Sequence, residues 1–271
     1  MEGSDAGTNA GTASAALAQP KVNLIFDPLP STELYLSWGI GFHSDDLRGV
    51  LQAKRLGLPG APLIASQAGD EFGIRERFAP NLTATLAFWH LDAQSELTYD
   101  PDLGQDAAGP ASRRYGAELN VTYQATRWLE FYGDYSPAHA RFDTPYNDGT
   151  GHIGFYLPNA PFAAGSFNVY VRNLGPWSAG LAWRYVSAFP LTADDAVQGH
   201  GYHEWDGEVS YTVSAAWNVG LFVDNILNER ADAAEFYYIA RIQGEPPDGV
   251  AGLQIHPLDP FGWRLEVTRY L

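Results

Sequence analysis

The side chains with the clearest capacity for metal chemistry lie between residues 194 and 204. His200 and His203 carry imidazoles three positions apart, Glu204 follows them, and Asp194 and Asp195 come before. Imidazole and carboxylate groups are ligands for transition metals. Three-residue spacing in a loop is a weak signal, and loop His and Asp residues are usually solvated. The segment therefore predicts ligand contact by His200 and His203 without a resident metal or other cofactor.

A second candidate group lies where an alternating segment enters a long irregular stretch. His43, Asp45 and Arg48 follow each other closely there. These side chains could contact an incoming ligand, and we predict that they do. The alternative is that the carboxylates cap a turn, which is their commoner role at the start of a loop.

A third group lies in the longest predicted loop, residues 227–260. Tyr237 and Tyr238 could stack on an aromatic or hydrophobic chelate, and Arg241 follows them. The alternative is that these rings pack the loop onto the rest of the protein. Arg48, Lys54, Arg55 and Arg241 lie in or beside loops, so an anionic chelate remains a candidate ligand.

Several classes of function are excluded or disfavoured by what the sequence lacks. The chain has no Cys, and it contains no Gly-rich phosphate loop, HExxH or GxSxG motif. Its net charge of −16 argues against a nucleic-acid partner, since such binding depends on Lys and Arg. We therefore predict that the chain is not an enzyme. An outer-membrane hydrolase using His203 or Ser210 stays as an alternative from another class.

The element that must position these residues is a long hairpin over residues 113–142. Alternate positions from Tyr115 to Tyr123 are apolar or aromatic and the positions between them are small or polar, and the pattern restarts at Leu129 after a very short turn. Each arm exceeds the usual soluble strand and reaches the roughly 9 to 11 residues that cross a bilayer. Aromatic residues lie near the ends of the apolar faces, which is typical of the two membrane interfaces.

The same alternation recurs along the chain and predicts about eleven strands. Their connections alternate between short turns (27–32, 79–81, 125–127, 173–176 and 214–216) and long loops. Outer-membrane barrels sort their connections in this way, with short periplasmic turns and long extracellular loops. The face of each strand opposite the apolar face carries acidic and basic residues, which must then point into a water-filled lumen. These residues are Glu118, Glu130, Asp134, Arg184, Asp206, Glu208 and Asp224.

The predicted fold class is therefore all-β, a transmembrane antiparallel β-barrel. Single-chain bacterial barrels close with an even number of strands, so eleven strands are more consistent with part of a barrel. Residues 1–20 have neither a basic nor an apolar signal region, and we predict a flexible, loop-like segment there. The chain is expected to be either a mature form or the continuation of a longer protein.

Four segments together resemble the C-terminal half of the barrel of TonB-dependent outer-membrane receptors: ELYLSWGIGFHSDDLRG (33–49), RRYGAELNVTYQATRWLEFYGDYS (113–136), GLFVDNILNERADAAEFYY (220–238) and HPLDPFGWRLEVTRYL (256–271). The resemblance covers nearly the whole chain from Lys21 onward. It implies a 22-stranded barrel filled by an N-terminal plug domain, of which residues 21–271 would hold about the last eleven strands.

The resemblance also implies a function and partners. Such receptors import scarce ligands, such as iron-siderophore complexes, across the bacterial outer membrane. The expected partners are outer-membrane lipid, the plug domain, the TonB complex acting through that plug, and a small-molecule metal chelate. Ligand capture would use the loops at 44–67, 143–161, 190–202 and 227–260. The alternative is a passive porin or small barrel formed by this chain alone, closing its edges by oligomerisation.

Overall fold

The computed structural model describes residues 14–44, 62–100 and 105–270, together with residues 12 and 50. Within this part of the chain the regular structure is antiparallel β-sheet. None of its helices is long and apolar enough to cross a membrane. Asp45, Arg48, Lys54, Arg55 and most of the predicted 1–20 segment lie outside the described residues.

The described part contains eighteen strands. In chain order they are β1 (Lys21–Leu29), β2 (Thr32–Ser44), β3 (Ile64–Ala79), β4 (Leu82–Ala93), β5 (Leu97–Asp100), β6 (Gln105–Ala108), β7 (Ser112–Thr126), β8 (Leu129–Asn147), β9 (Ile153–Tyr156), β10 (Ala163–Leu174), β11 (Trp177–Val186), β12 (Phe189–Pro190), β13 (Gln198–Gly199), β14 (Tyr202–Ser214), β15 (Trp217–Asp224), β16 (Asp232–Ala240), β17 (Val250–Pro257) and β18 (Gly262–Arg269).

Eleven of these strands form one continuous sheet in the order β1-β2-β3-β4-β7-β8-β10-β11-β14-β15-β18. Every neighbouring pair is antiparallel. The number and the arrangement confirm the all-β, eleven-stranded prediction. The remaining strands extend the long connections: β9 pairs with β8, and β5-β6, β12-β13 and β16-β17 form separate two-stranded sheets.

The connections are sorted by length onto the two ends of the sheet, as predicted. Short turns of two residues lie at 30–31, 80–81, 127–128, 175–176 and 215–216. The long connections all lie at the opposite end. We call these the turn end and the loop end of the sheet.

The sheet separates its side chains into an apolar face and a polar face. Leu36, Phe72 and Phe88 lie opposite one another on three neighbouring strands of the apolar face, and all three are exposed. The polar face carries the lumen residues predicted from the sequence, and there Arg184 Nη2 lies 2.6 Å from Asp206 Oδ2. Because side chains alternate along each strand, the hydrogen-bond register fixes both faces at once.

Some strand limits differ from those that the sequence predicted. Asp27 and Pro28, predicted as a turn, belong to β1. Pro28 lies where the register of β1 shifts between Phe26 and Leu29, and Pro is tolerated at such a bulge. β8 continues to Asn147 because β9 pairs with its last part. The longest predicted loop contains the β16–β17 hairpin, whose rungs join residues 232–257.

Close packing at the loop end requires a glycine at position 116. A Cβ there would lie 2.5 Å from the carbonyl oxygen of Pro137 and 2.7 Å from Cζ2 of Trp89. The first contact is with backbone of the neighbouring strand β8, so the strand itself would have to shift. Trp89 therefore lies directly across the backbone of β7 at this rung.

We expect Gly116→Ala to destabilise the sheet by about 1–3 kcal/mol, the usual cost of overpacking. Urea denaturation of the detergent-solubilised protein, followed by tryptophan fluorescence, would measure the change. Gly41→Ala is the matched control, because Gly41 lies on the same polar face with nothing within 4 Å of a Cβ. Equal stability of the two variants would contradict the proposed packing of Trp89.

Candidate functional site

Three long connections meet at the loop end of the sheet, and we call this place the loop junction. It consists of residues 148–162, residues 187–201 and the β16–β17 hairpin. The N–H of Tyr156 donates to the carbonyl of Ala193 at 2.9 Å, and the N–H of Asn159 donates to the carbonyl of Pro190 at 2.8 Å. A Cβ on Gly154 would collide with the backbone of Ala193, so glycine is needed for this close approach. The first two connections are therefore held together by their backbones.

The first side-chain contact of the loop junction joins His152 to Asp194. Nδ1 of His152 lies 2.9 Å from Oδ2 of Asp194. Asp194 also accepts hydrogen bonds from the Thr192 hydroxyl at 2.8 Å and from the N–H of Ala196 at 3.1 Å. The hydrogen bond from His152 is the main cause that lowers the pKa of Asp194 to about 2. Asp194 therefore stays ionised at neutral pH and fixes the loop around it.

The β16 strand joins the loop junction through a buried carboxylate. The side chain of Glu235 is 0% exposed, and its Oε1 accepts the N–H of His200 at 2.7 Å. Oε2 has no hydrogen-bond partner in the described structure, and Nδ1 of His200 lies 3.5 Å from it. The backbone carbonyl of Glu235 accepts Nδ2 of Asn159 at 2.6 Å. One residue therefore contacts both of the other connections.

Two of the residues predicted to bind ligand are brought to the loop junction. His200 is 81% exposed beside Glu235. The ring of Tyr237 meets the ring of His152 edge-on, with centroids 5.8 Å apart. Since Glu235 and Tyr237 are two positions apart on β16, they point to the same side of the hairpin. His200, Glu235, His152 and Tyr237 therefore form one connected group, and ligand contact by His200 and Tyr237 stays a prediction.

His203 lies apart from His200 despite their closeness in sequence. It is on β14 opposite Tyr185, and its ring stacks on Tyr185 at 5.0 Å and on Trp183 at 5.8 Å. These rings lie on the apolar face of the sheet. His200 precedes the strand and belongs to the loop junction. The two imidazoles are separated because His203 is part of strand β14, where alternation of side chains directs it to the apolar face. His200 lies in the preceding loop, whose path determines its direction.

The remaining predicted residues lie at separate places around the loop end. His43 is on the polar face of β2, where Nδ1 lies 2.9 Å from Nε2 of Gln67. Tyr238 lies opposite Gly252 in the β16–β17 hairpin. Arg241 lies in the connection between β16 and β17, with Nε 3.5 Å from the carbonyl oxygen of Glu245. The described residues contain no group of three or more His, Cys, Asp or Glu side chains that could hold a metal ion.

Three residues that organise the loop junction were not predicted from the sequence: His152, Asn159 and Glu235. Glu235 gave one usable signal, because it is a lone acidic residue in the otherwise apolar run Ala233–Ile239. A charge in such a run is rarely buried without a partner. Asn159 has a positive φ of 62°, a conformation that Asn tolerates better than most residues. Nothing in the sequence distinguishes His152 from a solvated loop histidine.

We expect Asp194→Asn to loosen residues 187–201 at neutral pH. The pKa of Asp194 is lowered in the folded protein, so its ionised form stabilises the loop junction above about pH 4, and this contribution is lost as the pH falls towards about 2. Amide hydrogen exchange of peptides covering this loop should be several-fold faster in the variant at about pH 6 and equal to wild type near pH 2.

Asp195→Asn is the matched control for this comparison. Asp195 is the next residue of the same loop, and its hydrogen-bonded oxygen accepts from Nε2 of Gln198 at 3.1 Å rather than from a histidine. Its backbone already has a φ of 60°, which Asn also adopts. If both variants speed exchange equally, the His152–Asp194 pair does not hold the loop.

The sequence and the fold both resemble those of known proteins. A family model described as TonB dependent receptor-like, beta-barrel, matches residues 2–226. No curated protein sequence matches the chain. Many solved structures are similar to it. The sequence identities of those named below are low, so the similarity shows a shared fold and nothing more.

Three solved structures illustrate the likeness. The ferric-catecholate import receptor Fiu from K12 E. coli, in its closed form, has 18% identity and a TM-score of 0.66 over 91% of this chain and 34% of that one. The siderophore receptor PiuA from Acinetobacter baumannii has 14% identity and a TM-score of 0.67, covering 92% and 35%. The copper transporter OprC has 19% identity and a TM-score of 0.65, covering 92% and 39%.

The chain therefore spans 34% to 39% of the length of these three structures. Its sheet matches part of their barrels, which agrees with the eleven strands and with the sorted connections. The match of the family model covers well over half of the sequence. The chain belongs to the family of TonB-dependent receptor-like β-barrels.

Proposed function

We propose that this chain forms the C-terminal part of the barrel of a bacterial outer-membrane receptor that imports a scarce ligand, such as an iron-siderophore complex, with energy delivered through TonB. The single observation that carries the proposal is the eleven-stranded antiparallel sheet, which separates an apolar from a polar face and its short turns from its long loops. Iron import is proposed because structurally similar receptors include Fiu and PiuA, and OprC makes a copper ligand the second candidate.

The apolar face supports a place in lipid. Large aromatic and aliphatic side chains lie exposed on it along the full width of the sheet, from Val22 on β1 to Val267 on β18. In water such a surface would associate or aggregate, whereas in a bilayer it faces hydrocarbon. Arg269 at the turn end lies opposite Trp217, with its guanidinium 5.6 Å from the ring centroid. A paired Arg at that edge fits the membrane interface.

The directions of the two edge strands support a barrel completed by other strands. β1 and β18 both run from the loop end to the turn end. In a sheet of eleven antiparallel strands the direction alternates from strand to strand, so the first and the last strand have the same direction. If the sheet closed on itself, β1 and β18 would form a parallel pair. A second copy facing the same way would create two parallel seams. A complementary sheet with an odd number of strands gives antiparallel seams at both edges, which disfavours the self-assembled pore.

The polar face supports the expected contact with a plug domain. Its charged residues form ion pairs spread across the sheet, such as Arg75 with Glu33 at 2.9 Å and Arg172 with Glu130 at 3.4 Å. The pairs are partly exposed in this chain and would be covered by a domain seated in the lumen. TonB would act through that domain. The chain itself supplies the wall and the loops, and transport, not catalysis, is its proposed activity.

The size of the native product tests the first part of the proposal. An antibody raised against residues 232–257 should detect, in outer-membrane fractions of the source organism, a band far heavier than the 29.6 kDa of this chain. The reason is that the chain covers only 34% to 39% of the structures it resembles. Inner-membrane and soluble fractions are the controls. A band at 29.6 kDa in the membrane fraction would contradict the hypothesis that the chain is part of a larger receptor.

Uptake tests the second part. Cells producing the protein that contains this chain should accumulate ⁵⁵Fe supplied as a ferric catecholate, and cells lacking either that protein or TonB should not. Energy from TonB is expected because passive diffusion cannot concentrate a scarce ligand. Copper supplied at the same concentration is the comparison. Uptake of iron that persists without TonB would contradict the proposal. TonB-dependent uptake of copper alone would show that the ligand is copper and not an iron chelate.

A further inference from the structure

The strand β17 presents an open edge at the loop end of the sheet. In the described part of the chain it pairs with β16 alone, so its second edge has no strand partner there. Val250, Leu253 and Ile255 are 47%, 44% and 56% exposed, and no Asp, Glu, Lys or Arg occurs from Val250 to Pro257. Natural proteins protect an exposed edge with charges, proline or a bulge. Before Pro257, β17 carries none of these, so we expect another segment to cover it.

One face of the β16–β17 hairpin is covered on β16 and open on β17. Directly opposite residues of an antiparallel pair share a face, and here Glu235 lies opposite Ile255 and Tyr237 lies opposite Leu253. On β16 this face packs against the loop junction, where Glu235 is fully buried and Tyr237 contacts the ring of His152. On β17 the side chains of the same face are exposed. The cover of this apolar face therefore ends halfway across the hairpin.

The two outer edges of the hairpin point in opposite directions. The backbone carbonyl of Glu235 accepts Nδ2 of Asn159 at 2.6 Å, so the outer edge of β16 lies against the loop junction. In a two-stranded sheet the outer edge of the second strand lies on the other side. The open edge of β17 therefore faces away from the loop junction.

The base of the hairpin is held above the last two strands of the main sheet. The side chain of Asn225 is buried, and its Nδ2 donates to the carbonyl oxygens of Glu229 and Asp259, both at 3.0 Å. Its Oδ1 accepts the N–H of Glu229 at 2.7 Å. Only residues 258–261 lie between the end of β17 and the start of β18. β17 therefore lies beside the loop end of β18, the strand at the open edge of the main sheet.

The direction of β18 determines what lies next to it in a completed barrel. β18 runs from the loop end to the turn end, so a strand that pairs with it antiparallel runs towards the loop end. The polypeptide leaves that strand at the loop end as a connection, which we call the closing connection. The closing connection begins beside β18, on the side where the edge of β17 is open.

We propose that the closing connection adds an extended segment to the open edge of β17. Its backbone pairs with β17, and its apolar side chains at alternate positions cover Leu253 and Ile255. It is then the fourth connection of the loop junction, and it completes the cover of the face that carries Glu235 and Tyr237. The inference rests on the proposed function, because it requires the strands that complete the barrel.

Cysteine labelling of the whole protein in intact cells tests whether β17 is covered. The chain has no Cys, so Leu253→Cys and Val250→Cys each introduce a single thiol into this part of the protein. The two side chains are almost equally exposed in this chain, but Val250 lies opposite Ala240 on the other face of the hairpin. A membrane-impermeant maleimide should react with Leu253→Cys at least about tenfold more slowly than with Val250→Cys. Equal rates would overturn the proposal.

Replacement of the closing connection by a short Gly-Ser turn identifies what covers β17. The labelling rate of Leu253→Cys should then rise to that of Val250→Cys, which should not change. Amide hydrogen exchange of residues 250–257 should become faster at about half of the positions, because alternate amides of β17 point to its outer edge. Protection that survives the replacement overturns the proposal. A disulfide-linked dimer of Leu253→Cys would assign the edge to a second copy of the protein and would overturn it too.

The results remain separable from those of the uptake experiment. If TonB-dependent uptake occurs and Leu253→Cys reacts as fast as Val250→Cys, the edge of β17 is open and the proposed function stands. If labelling shows the expected protection and its release in a protein that imports neither iron nor copper, the inference stands and the proposed import falls.

Discussion

Hydrogen bonds between the backbones of neighbouring strands are the interaction on which the rest of this structure depends. They run from β1 to β18, and the sheet that they form leaves large hydrophobic side chains exposed on one face. The ladder fixes the register, the register fixes the two faces, and the faces determine which environment each side can accept. In the proposed receptor, lipid covers the apolar face and further strands pair with both edges of the sheet.

The long connections obey a different rule from the strands. They are ordered by contacts between segments far apart in sequence. One of these contacts involves the buried Glu235, which accepts a hydrogen bond from one connection with its side chain and from another with its carbonyl. A carboxylate held at 0% exposure with one oxygen unpaired costs free energy unless its surroundings compensate. Glu235 lies where three connections meet, so the arrangement of the loop end depends on the hydrogen bonds of this one residue.

A cavity beside Trp89, covered by residues 157–161, is structurally connected to the loop junction. Asn159 makes hydrogen bonds to both other connections, and the segment around it covers the aromatic residues of the polar face.

The sequence by itself determined the eleven strands of the main sheet, their apolar and polar faces, and the sorting of their connections by length. These follow from the period of two and from short-range turn chemistry, which need no knowledge of distant residues. Arg184 and Asp206 were thus placed correctly on the polar face. Only the tertiary structure decided how the loops meet. It separated His203 from His200, joined His200 to Glu235 across 35 positions, and brought Trp89, Glu96 and Arg114 around one cavity. Those contacts depend on the paths of long connections, which no local pattern records.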